Sequence, residues 1–96
     1  MLKIEIDQNV DKQIIKKQGK DISLTIAMEE CAELIQAISK LRRGKGNYEN
    51  LAEECADVLI CIDYLKQITH ITDEEIQKWI DFKLDRALRR LVKLEL

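Results

Sequence analysis

Apolar residues along the chain recur at Ile22, Ile26, Leu34, Ile38 and Leu41, one or two helical turns apart, and so read as one face of a helix. Residues able to cap and stop helices divide the rest. A first short helix is expected from about Asn9 to Gln18, closed by Gly19, which can take a left-handed conformation. Asp21 or Ser23 is the expected cap of the second helix, which breaks at Gly44-Lys45-Gly46. Asn47 suits the start of a third helix running to about Ile68. Thr72-Asp73-Glu74-Glu75 has the capping-box pattern, and opens a fourth helix able to reach the C-terminus. Met1 to Ile6 alternates apolar and polar residues, but no partner strand is visible, so an arm is expected.

Composition agrees with helices. Proline is absent from the 96 residues and glycine occurs only 3 times. A chain of this length, with no linker or low-complexity tract, is expected to form a single domain over residues 1–96. The charged residues nearly cancel to a net charge of -2, which gives no argument for nucleic acid or membrane partners. Lys3, Glu5 and Asp7 interrupt any apolar signal segment, and no apolar run approaches the ~20 residues of a membrane span, so a cytoplasmic protein is expected. Cys31, Cys55 and Cys61 are odd in number, lack CxxC spacing and sit in apolar stretches, so they read as core residues. Aromatic content of 4% makes the core thin, and association with another copy would bury more surface.

The chemistry lies in two near copies, Met28-Glu-Glu-Cys-Ala-Glu33 and Ala52-Glu-Glu-Cys-Ala-Asp57. Glu30 and Glu33 project from one helical face, with Glu29 one turn before Glu33; Glu54 and Asp57 repeat the spacing, with Glu53 beside them. The helices that carry them flank the glycine loop and should form an antiparallel hairpin. Counted from Lys45, the two motif centres differ in height by only about one turn, at ~1.5 Å rise per residue. Facing each other, the motifs would bring four carboxylates together. Like charges at helical spacing repel by roughly 0.2–0.5 kcal/mol per exposed pair. Lysine or arginine would usually relieve this, but none occurs between Asp21 and Ser39 or between Gly46 and Leu65. Such a cluster suits a hard cation with oxygen ligands, Mg2+ best and Mn2+ close behind. A solvated acidic face is the plainer account of either motif alone; two motifs at matching heights in apolar surroundings weigh against it.

At this point the chain resembles the all-α nucleoside triphosphate pyrophosphohydrolases of the MazG type, whose hallmark is EExxE, a variable interval, then ExxD. Here these read Glu29-Glu30-Cys31-Ala32-Glu33 and Glu54-Cys55-Ala56-Asp57, within a similar segment from about Leu24 to Leu65. The resemblance implies a four-helix fold, with the acidic motifs on the hairpin, assembled as a homodimer or homotetramer. It implies cleavage of a nucleoside triphosphate between the α and β phosphates. By position, Glu30, Glu33, Glu54 and Asp57 would hold magnesium, and Glu29 or Glu53 would orient or deprotonate the attacking water. Lys83, Arg86, Arg90 and Lys93 form a basic stripe on the last helix. Such stripes are most often solvated, but the family commonly places basic residues there, which marks Lys83 and Arg86 for the phosphates. A non-catalytic helical nucleotide-binding or interaction module is the competing expectation.

Overall fold

The computed structural model describes residues 3–95 and consists of four helices: α1 (Gln8–Gln18), α2 (Lys20–Arg42), α3 (Tyr48–Thr69) and α4 (Asp73–Glu95), with no strand among the described residues. The all-α expectation holds. Of the expected arm, Met1 and Leu2 lie outside the described residues, as does Leu96 at the far end; residues 3–7 form no regular element.

α1 starts one residue earlier than expected because Asp7 caps it. The Asp7 Oδ1 accepts from the Asn9 and Val10 amides at 3.0 and 3.1 Å. Lys16 and Lys17 in the last turn complement the helix dipole. Gly19 ends α1, its N–H donating to the Ile15 carbonyl at 2.8 Å. Its backbone is at φ 94, ψ 160 (outside the left-handed helical region, yet still costly for any side chain). This single residue turns the chain straight into α2, which corrects the expected cap. Neither Asp21 nor Ser23 caps α2, and no side chain does. Ser23 is 0% exposed; its hydroxyl donates to the Gly19 carbonyl at 2.7 Å and accepts from Gln18 Nε2 at 2.9 Å. It thereby ties the end of α1 to the first turn of α2.

α2 and α3 form the antiparallel hairpin, the most extensive helix pairing in the chain, and α1 leans on both, chiefly on α3. The hairpin tip is tight. The Lys45 and Gly46 amides both donate to the Lys40 carbonyl, and a Cβ on Gly46 would lie 3.0 Å from the Leu41 amide nitrogen. Asn47 caps α3 as expected, accepting from the Asn50 amide at 2.7 Å. His70 ends α3 in the left-handed region at φ 65. The capping box then opens α4: Thr72 Oγ1 accepts from the Glu75 amide and Glu75 Oε1 accepts from the Thr72 amide, each at 3.1 Å. Lys66 and Asp73 pair across the turn.

The core is small. Ala27, Cys61 and Tyr64 are buried together, with Ile15, Ile26, Ile60 and Ile68 packed round them. Cys61 fits the expected core role, whereas Cys31 and Cys55 are exposed, because they fall on outer faces of the hairpin helices. α4 packs on none of α1–α3. Trp79 and Phe82 stand on it edge to face, 5.8 Å apart and largely exposed. The radius of gyration is 16.4 Å, against about 12.5 Å for a compact chain of this length. The accessible surface is 8415 Å², where a compact monomer of this mass would show about 5,700 Å². No described helix is long and apolar enough to cross a membrane.

Removing the Ser23 hydroxyl should therefore be felt despite its small size. Ser23→Ala is expected to lose about 1–2 kcal/mol by urea unfolding at fixed protein concentration, because both of its hydrogen bonds are out of water. A loss no larger than that of exposed Ser39→Ala would contradict the tie between α1 and α2.

Candidate metal centre

The hairpin delivers the acidic motifs to one place because small residues let its helices approach. Ala27 and Ala37 are buried on α2, and Cys61 on α3. One carboxylate oxygen from each of Glu30, Glu54 and Asp57 can be chosen so that all three lie within 4.8 Å of one another. Glu33 is not in this trio, so three carboxyls converge where four were expected. Its side chain stays exposed, where water relieves the repulsion a fourth charge would meet.

The trio behaves as a group of mutually repelling acids. Burial pushes the Glu30 carboxyl above its ordinary range, helped by the charge of Asp57, a hydrogen bond with it, and the charges of Glu54 and Glu33. Burial likewise raises Glu54, with Asp57, Glu33 and Glu53 adding to it and Lys40 opposing. The Glu54 Oε2 is out of water and has no hydrogen-bond partner. Lys40 qualifies the expectation of an acid cluster without basic neighbours. It follows Glu33 by two helical turns and so returns to the same side of α2. It bonds to none of the three; the two ion pairs among the described residues, Lys66–Asp73 and Arg89–Asp85, lie elsewhere. A hard divalent cation with oxygen ligands fits this donor set: carboxylates from two facing helices, one with a buried oxygen lacking a donor. Behind it, burial and then the charge of Glu30 push the Cys61 thiol up to about 11, so it stays protonated and offers no thiolate.

The other residues singled out in the sequence are spread more widely. Glu29 and Glu53 are exposed beside the trio, and Glu53 is close enough for its charge to act on Glu54. Lys83 and Arg86 are exposed on α4, Arg86 stacking its guanidinium 5.6 Å from the Phe82 ring centre. With α4 packed on no other helix, one chain does not bring them to the trio. Sequence reading missed Asp11 and Asp63, both buried. The available signal was Asp63 itself, a lone acid within the apolar run from Val58 to Leu65.

Fold and site together define an all-α protein with a carboxylate centre between two antiparallel helices. The family model of the MazG nucleotide pyrophosphohydrolase domain matches residues 18–93, and the chain belongs to that family. Its members are hydrolases of nucleoside triphosphates, generally dependent on divalent metal. Comparison with curated proteins and with solved structures returned no match.

The raised Glu30 and Glu54 carboxyls fix the sign of a pH effect. Their contribution to stability is complete below the ordinary glutamate value of 4.5 and is lost as pH rises through their higher folded values. In chelator, the metal-free chain should melt at a lower temperature at neutral pH than at mildly acidic pH. Glu54→Gln should raise the neutral melting temperature in chelator and shrink the gain on adding Mg2+. A Glu54→Gln chain that melts lower than the parent in chelator would argue against a repulsive trio.

Proposed function

We propose that the chain is a magnesium-dependent nucleoside triphosphate pyrophosphohydrolase, cleaving between the α and β phosphates to release a nucleoside monophosphate and pyrophosphate. The observation that carries this reading is the convergence of Glu30, Glu54 and Asp57, the family's motif positions, with an unpaired buried oxygen on Glu54. Glu30, Glu54 and Asp57 would hold the cation, Mg2+ before Mn2+, with Glu33 beside them as a further ligand. When bound, the divalent ion supplies Lewis-acid neutralisation of the phosphate oxygens. Glu53 or Glu29 orients the attacking water and accepts its proton, Glu53 having the closer electrostatic tie to the trio.

Lys83 and Arg86 bind the phosphates once α4 is packed in an assembly. Residues 1–96 form one domain that is completed by association. The surface excess of about 2,700 Å² over a compact monomer is well beyond the ~800 Å² per partner of a standard interface. Trp79, Leu84, Leu88 and Leu91 on α4 and Met28 and Ile35 on α2 supply its apolar part. The surface excess supports association, and the family resemblance points to a homodimer or homotetramer.

Incubation with a panel of nucleoside triphosphates and Mg2+ should release pyrophosphate. Glu33→Gln and Glu54→Gln should each lower kcat on the order of 100-fold or more. Nucleotide binding without pyrophosphate from any triphosphate would favour a non-catalytic binding module instead. Separately, sedimentation should find a dimer or tetramer, and Lys83→Ala or Arg86→Ala should raise KM more than it lowers kcat. A well-folded monomer with full activity would remove both the assembly and the role of α4.

A further inference from the structure

Away from the metal centre, a second pair of acids is handled in another way. Asp11 on α1 and Asp63 on α3 are 4% and 3% exposed, and no lysine or arginine bonds to either. The Asp63 Oδ2 accepts from Gln67 Nε2 at 2.8 Å, and the same amide donates to the Gln8 carbonyl at 2.9 Å, at the start of α1. Asp63 is thus equipped to carry the negative charge. The Asp11 Oδ2 is out of water and faces no donor. A buried carboxyl oxygen without a donor, on a carboxyl that lies within hydrogen-bonding reach of a second carboxyl, is where a proton belongs. The surroundings agree. Burial, the hydrogen bond and charge of Asp63, and the charge of Asp7 all push Asp11 up, to about 7.

The neighbouring groups supply no counter-charge. On α3, Tyr64 and Cys61 both feel the Asp11 charge and are themselves held protonated by burial. From α2, Glu30 acts on Tyr64 and Cys61, and from the arm Glu5 lines the same hollow of about 340 Å³ as Asp11; both are acids. The cation that senses Asp63 is Lys66, and it is bonded to Asp73 of α4.

We propose that Asp11 and Asp63 form a proton-operated latch between α1 and α3: α1 is docked while the two carboxyls share a proton, and it loosens when both ionise. The proposal goes beyond the hydrolase reading and does not depend on it. Undocked, Asp11 is an ordinary exposed aspartate, so docking takes up a proton. Docking is therefore tightest at acidic pH, weakens as pH rises from the ordinary aspartate range towards neutrality, and levels off above it. Opening would uncover the Ala27–Cys61–Tyr64 cluster, which begins one helical turn from Glu30.

The test is NMR on the full chain: carbon-13 titration of the Asp11 carboxyl, and amide exchange of α1 divided by random-coil rates and compared with α3. The Asp11 midpoint should lie near neutrality, and α1 protection should fall at least about tenfold between about pH 5 and pH 7. Asp11→Asn still donates to Asp63 but cannot ionise, and should flatten the α1 curve. Asp63→Asn removes the facing charge and should lower the Asp11 midpoint by about one pH unit or more. An Asp11 midpoint below about pH 5, or an α1 curve in Asp11→Asn that falls like the parent's, overturns the latch. If Asp11→Asn does not fold, Asp63→Asn decides: an unchanged Asp11 midpoint overturns it.

Discussion

The close approach of α2 and α3 is the constraint on which the rest depends. Alanine and cysteine at the contact let two long helices lie side by side, and that proximity forces Glu30, Glu54 and Asp57 together. The repulsion does not disperse the site because the helices are fixed elsewhere, by the tight tip at Lys40–Gly46 and by the cluster round Tyr64. A hairpin with larger residues at Ala27 or Ala37 would separate the acids and lower their repulsion, but it would also lose the donor set. The carboxylates are therefore stressed by the same packing that makes them a site.

What the sequence reveals follows from the range of the interactions. Caps and turns are local, so Asn47, the Thr72–Glu75 box and the glycine loop could be read directly, and the hairpin followed from counting residues from its tip. The acidic motifs could be read for the same reason, since both lie on that hairpin. Where a contact crosses elements, the reading fails. Ser23 looked like a cap because serine before an apolar stretch usually is one; its burial against Gln18 depends on how Gly19 turns the chain. Asp11 and Asp63 lie at distant points of the chain, and nothing local says that α1 sets one against the other. Cys31 and Cys55 sit in apolar stretches as Cys61 does, but helix rotation puts them outside and Cys61 inside.

α4 shows the limit of a single chain. It has a capping box at its start and an apolar stripe with basic residues beside it, yet beyond its first turn, where Asp73 pairs with Lys66, it packs along no helix of its own chain. Most of a helix's stability in a protein comes from packing its amphipathic face. In the proposed assembly, the apolar surface and the basic stripe would tie stability and substrate binding to one event, the burial of α4. On that proposal, the basic stripe and the acidic trio come into fixed relation only once the chain has assembled.

The two acid clusters differ in depth, and depth decides what each can do. Glu30, Glu54 and Asp57 sit at a partly exposed rim, with Glu33 in solvent beside them, so a hydrated cation can arrive, exchange ligands and leave. Asp11 and Asp63 are buried between helices, where a cation would have to shed its water. The smallest neutralising agent is a proton, and one proton suffices for two carboxyls. Within one small helical chain, like-charge repulsion thus has two remedies: the open cluster suits a metal ion, and the closed one, in the proposed latch, keeps a proton and couples it to the position of a helix.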